Sequence, residues 1–149
     1  MADTVVLHKM LHIKEQEKMD AQLQKVQAAE YFEQVATELY NELKTKEKAE
    51  TAFTQVICRD ATVTTIKEQS LYIDRLNKKI NLLQEHVLKA RNEMENKQIV
   101  LIDAHVEMKK IEKLIEFREQ EKKDSKQKND RQMMDEISIR QYQMFKQNR

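Results

Sequence analysis

The chain's 149 residues include no glycine and no proline, where average usage would supply roughly 18 of the two together. Glycine makes tight turns and lets backbone approach phosphate, so a P-loop, a dinucleotide fingerprint and a nucleophile elbow are excluded. The 27 basic and 26 acidic residues leave a net charge of +1 and are closely intermixed, which argues against nucleic-acid binding, since that requires a basic stripe to displace counterions.

A chain without these two residues has almost nowhere to turn and is expected to be nearly continuous helix. With 36% charged and 40% hydrophobic residues it falls in the coiled-coil composition class. A first helix is expected over about residues 4–58. Val6, Met10 and Ile13 form an apolar stripe near its start. Met19, Leu23 and Val26 lie on one phase and Phe32, Ala36, Leu39 and Leu43 on another, so a stutter is expected near residues 28–31. The second stripe turns polar at Lys46 and Glu50 and recovers at Phe53 and Ile57.

Residues 59–65 (Arg59-Asp60-Ala61-Thr62-Val63-Thr64-Thr65) are the densest run of poor helix formers and the one credible turn. Asp60, Thr62, Thr64 or Thr65 can each cap a following helix, and Thr65 with Glu68 fits a capping box. A second helix is expected over about 66–145. From Ile66 its seam advances in alternating steps of three and four through Ile73, Leu76, Ile80 and Leu83 to Ile111 and Ile115, and only Gln69 and Lys97 interrupt it. A pattern sustained this long is a strong coiled-coil signal, and single polar seam residues fix register.

The expected fold is therefore all-α: one domain, 1–149, in which two long helices form an antiparallel coiled-coil hairpin. Opposing Ile57 to Ile66 beside the turn exhausts the first helix opposite about residue 119. The continued seam, Arg118, Lys122, Ser125, Asn129, Gln132 and Glu136, turns polar at the same place. The second helix should thus outlast the first and protrude at its C-terminal end, with a paired shaft of about 80 Å and an overhang of about 35–45 Å. The overhang ends in Met133, Met134, Ile137, Ile139, Tyr142, Met144 and Phe145. Met134, Ile137, Gln141 and Phe145 share one face. Methionines and aromatics beyond a solvated rod read as a docking patch; the alternative is an end that packs back or self-associates.

No catalytic constellation emerges. Two long helices bury a seam, not a roomy pocket, and the carboxylates alternate with Lys and Arg as helical ion pairs do. His8 and His12 share a face but lack the glutamate of a zinc-protease helix and a third ligand. Cys58 is the single cysteine and has no His near it in sequence to activate it. No enzyme activity, metal or cofactor is expected. The longest apolar run, Ile99-Val100-Leu101-Ile102, is far too short for a membrane span. No basic region precedes an apolar stretch at the start, so no signal peptide is expected.

Several segments carry a resemblance to a known family: LHKMLHIKEQEK (7–18), ELYNEL (38–43), LYIDRLNKKI (71–80), KARNEMENKQ (89–98), VEMKKIEKL (106–114) and RQMMDEISIRQ (131–141). Together they resemble, nearly end to end, the flagellar export protein FliJ family. The resemblance implies a two-helix antiparallel coiled coil similar to the central stalk of rotary ATPases. It implies a component of the flagellar type III export apparatus that associates with the export ATPase and its regulator, the cytoplasmic part of the export gate, and export chaperones. The implied location is cytoplasmic, peripheral to the membrane at the flagellar base, with no membrane insertion. Tyr72 and Leu76 match an aromatic-then-leucine pair that the family uses near the gate. Met133, Met134, Ile137, Tyr142 and Phe145 complete the expected partner-binding set. The connection departs from the family pattern in lacking glycine, and Lys79 stands where a smaller residue is more usual. The alternatives are the stalk of a virulence injectisome, a holdase chaperone using the Met-rich tip, or a structural coiled coil that dimerises through its seam.

Overall fold

Nothing in the sequence interrupts helical hydrogen bonding except the Asp/Thr-rich connection, and the computed structural model shows the consequence. Its described residues, 2–59 and 61–148, form two helices, α1 (Ala2–Cys58) and α2 (Val63–Gln147). Threonine, ordinarily a weak helix former, is accommodated inside α1 because Thr37, Thr45, Thr51 and Thr54 each donate a hydroxyl hydrogen bond to the carbonyl four residues earlier, at 2.8–3.0 Å. No described residue has positive φ.

Arg59 N–H closes α1 on the carbonyls of Gln55 and Val56 at 3.2 and 3.3 Å. Thr62 then opens α2: its Oγ1 accepts from the Thr65 N–H at 3.3 Å and lies 2.8 Å from the Thr65 hydroxyl, while its carbonyl accepts from the Ile66 N–H at 3.2 Å. Among the described candidates Thr62 fills the cap position, and α2 starts at Val63 instead of Ile66. A side-chain oxygen that accepts from the N–H three residues on satisfies one of the orphan donors of the first turn. Asp60 lies outside the described residues.

Contacts divide the chain into two units, Lys18–Asp103 and the pair of segments Met1–Glu17 and Ala104–Arg149. In the first unit α1 and α2 run antiparallel. Lys79 Nζ meets Glu42 Oε1 at 2.8 Å and Lys97 Nζ meets Gln24 Oε1 at 3.3 Å, close to the register that opposes residues beside the turn. In the second unit Leu7, Ile111 and Ile115 are buried together with Leu11 against them, and Lys122 Nζ donates to Thr4 Oγ1 at 2.8 Å. The fold is the all-α antiparallel hairpin that the spacing predicts, with α2 the longer helix.

Every seam position read from α2 is buried or half-buried, from Ile66 through Leu76, Ile80, Leu83, Ala90 and Met108 to Ile115. Lys97 and Gln69 sit in the seam as expected, and Gln24 satisfies the Lys97 ammonium. The α1 seam differs from the expectation. Its protected residues run Leu7, Leu11, Lys14, Lys18, Ala21, Lys25, Ala28, Phe32, Val35, Leu39, Glu42, Lys46, Ala49, Phe53 and Val56, in unbroken steps of three and four. There is no stutter at 28–31. Met19, Leu23, Val26, Leu43 and Ile57 are exposed, as is Glu50. Leu7 and Val35 lie four heptads apart, so anchoring both against α2's strict repeat leaves no room for a phase shift between them. The lysines placed inside as a result bury their alkyl stems and direct their ammonium groups outward.

Candidate functional site

Two groups of residues carry the sequence-based expectation of partner binding, and they fall in different units. The first is on α2 near the turn. Leu76 is 7% exposed and packs in the seam, whereas Tyr72, one turn earlier, is half-exposed. The next residue on the Tyr72 edge, two turns along, is Lys79. The Glu42 carboxylate holds the Lys79 ammonium above its usual pKa, first by their hydrogen bond and then by charge, with smaller contributions from Glu38 and Tyr72. An exposed tyrosine thus borders a fixed ion pair (2.8 Å) and rests beside a buried leucine. Tyr72 is available for contact, and the Leu76 side chain fixes the helix face that presents it.

The second group lies at the far end of α2. From residue 116 to residue 148 every residue is exposed. Where α1 begins, Thr4 lines a polar groove with Arg118, Glu121, Lys122, Ser125, Lys126 and Asn129. Beyond it Met133, Met134, Ile137, Tyr142 and Phe145 are all exposed, together with Ile139 and Met144. Gln120 Nε2 donates to Asp124 Oδ1 at 3.1 Å, an i,i+4 pair of the kind that supports an isolated helix. A helix of this length that holds seven apolar side chains in water exposes more than a solvated rod needs.

The surface chemistry is otherwise that of an ordinary charged helix. Lys14–Glu17, Arg91–Glu95, Lys109–Glu112 and Lys110–Glu107 form exposed ion pairs, and Lys44 lies 4.8 Å from the Tyr40 ring centroid. Among the described residues no three His, Cys, Asp or Glu side chains converge on a possible metal position. Among the same residues no helix is long and apolar enough to cross a membrane. Cys58 is exposed at the end of α1.

The exposure of one set of apolar residues was not anticipated from the sequence. The outward positions of Met19, Leu23 and Val26, and of Ile99, Val100 and Ile102, are exposed in the unit spanning Lys18–Asp103. The signal that finds them is the α2 seam: its own phase leaves Ile99, Val100 and Ile102 off the seam, and imposed on α1 it leaves Met19, Leu23 and Val26 on outer faces.

Comparison with known proteins bears on the whole length. The family model described as "Flagellar FliJ protein" matches residues 4–146. A curated relative, the flagellar FliJ protein of Bacillus subtilis (strain 168), is 30% identical over 146 residues, covering 95% of this chain and 97% of its own. No solved structure matches significantly.

Proposed function

The chain belongs to the flagellar FliJ protein family, a component of flagellar protein export, and on that premise we propose that it serves as the stalk of the type III export apparatus. In this reading the exposed continuation of α2 enters the ring of the export ATPase. The paired helices form the handle, and the cytoplasmic part of the export gate and the export chaperones dock on its surface. The ATPase regulator joins the same assembly. The protein works at the cytoplasmic face of the membrane at the flagellar base and performs no catalysis of its own.

The observation that carries the reading is the continuous exposure of residues 116–148 beyond the last buried seam residue, Ile115. A narrow, charged helix suits a pore, because polar contacts hold it without the broad apolar belt that would arrest movement. The Met-rich end then supplies adaptable apolar contact where the helix emerges. Near the turn, Tyr72 contacts the gate and Leu76 supports it from the seam side.

Replacing Met134 and Ile137 with Asp tests the tip. Both side chains are exposed, so the helices should form as before. Co-purification with the flagellar export ATPase of the same organism should yield a complex with the unaltered chain and at least tenfold weaker binding with the variant. Unchanged affinity for both the ATPase and the gate would remove the tip from the interface. Failure of the unaltered chain to bind the ATPase would overturn the stalk reading itself.

A further inference from the structure

The unit formed by Met1–Glu17 and Ala104–Arg149 carries an apolar surface that the stalk reading does not use. In an antiparallel coiled coil the residues just before alternate seam positions of the two helices line one edge. Gln24 and Lys79, which reach across the seam to Lys97 and Glu42, show that edge in the other unit. Here the corresponding residues are Met10, just before Leu11, and Leu114, just before Ile115. Val6 and Ile13 lie four before and three after Met10, and Phe117 lies three after Leu114, so all five share that edge. They are between 39% and 61% exposed.

Five such side chains leave on the order of 450 Å² of apolar surface in water, within the size range at which patches mark interaction sites. Both helices contribute, so the patch is a ridge-and-valley face of the kind on which helix pairs pack into four-helix bundles. Lys9 borders the patch beside Ile13, and other charges on the border are neutralised within the chain. Glu107 and Lys110 pair with each other at 3.1 Å, and Glu17 pairs with Lys14 at 3.2 Å. With a net charge of +1, two copies of the chain repel only weakly.

We propose that this edge is a self-association surface, on which a second copy of the chain seats the same patch about a two-fold axis. The area supports that occupant. Homodimer interfaces are about 65% apolar, so this much apolar surface corresponds to roughly 700 Å² buried per copy. That lies inside the range of roughly 600–1,000 Å² per partner for standard interfaces. The seam stays intramolecular, so the pairing requires no exchange of helices. Area alone does not set affinity; a patch of aliphatic side chains and one phenylalanine, without the Trp, Tyr or Arg anchors of strong hot spots, belongs at the micromolar end.

Sedimentation velocity of the full chain across a concentration series from about 1 to 100 μM tests this. The mass should rise from that of one 17.9 kDa chain toward twice that value. The double variant Met10→Asp with Phe117→Asp should stay monomeric throughout, a loss of at least tenfold in association, with far-UV helicity intact. Leu82→Asp, exposed in the other unit, should dimerise as the unaltered chain does. A chain that remains monomeric to 100 μM, or a double variant that still dimerises, would each overturn the proposal.

Discussion

Leu82 and Leu83 are adjacent, identical in chemistry and equal in helix propensity, yet they should respond very differently to truncation. Leu83 is 8% exposed and Leu82 53% exposed. Changing Leu to Ala removes three carbon groups, each contributing about 0.8 kcal/mol when buried. At Leu83 nearly all of that is lost, and a seam open on two sides adds only a small cavity penalty, so the cost should be about 2–3 kcal/mol. At Leu82 about half the side chain is already in water, so the cost should stay below about 1 kcal/mol. Helix propensity changes identically in the two variants and cancels from the comparison. Urea unfolding followed by far-UV circular dichroism reads the difference. With a slope of about 2 kcal/mol/M, Leu83→Ala should lower the midpoint by about 1 M and Leu82→Ala by less than half of that. Equal shifts, or a larger one for Leu82→Ala, would refute the assignment of the α2 seam.

Two further outcomes follow from the same structure. On α1, Val35→Ala should destabilise by about 1 kcal/mol after allowing for alanine's better helix propensity, and Val26→Ala by only a few tenths; urea midpoints in which Val26 is the costlier site would restore a phase shift to the first helix. The Lys79–Glu42 pair should act only on the alkaline side. Because Glu42 raises the Lys79 pKa above 10.5, its small stabilising effect is complete below that pH and is lost as pH climbs through the raised value. Stability measured from neutral to strongly alkaline pH should therefore show an alkaline decline that Lys79→Met reduces, and an identical profile for both proteins would show that the pair contributes nothing.

The second helix was legible because one stripe dominates it: the fifteen positions from Ile66 to Ile115 hold a single phase, and the structure protects all of them. The first helix was not, for an identifiable reason. Its apolar residues occupy competing stripes, Val6-Met10-Ile13, Met19-Leu23-Val26 and Phe32-Leu39-Phe53. Local periodicity ranks these by hydrophobicity alone, whereas the partner helix chooses by register. With Leu7 and Val35 both fixed against α2, the intervening seam falls on Lys14, Lys18 and Lys25, whose alkyl stems make burial tolerable. Isoleucine or methionine at those positions would have made the phase readable.

The connection shows the same limit on a smaller scale. Composition put the connection at residues 59–65, and α2 already begins within that run, at Val63, because four polar residues competed for one capping role. The hydrogen bond from the Thr65 N–H to Thr62 Oγ1 decides among the described ones. At the C-terminal end, loss of apolar seam residues after Ile115 was sufficient to place the start of the exposed segment. The pairing of Thr4 with Lys122 agrees with the opposition of helix ends that register alone suggested.

The central claim is that the exposed continuation of α2 acts on the export ATPase. ATP turnover by the flagellar export ATPase of the same organism should be measured alone, with the full chain, and with a truncation ending at Glu116. The truncated hairpin keeps every buried seam residue, and circular dichroism establishes that it is folded. Stimulation by the full chain and none by the truncation is the predicted result. Equal stimulation by both, or no effect of the full chain on the ATPase, would contradict the stalk assignment.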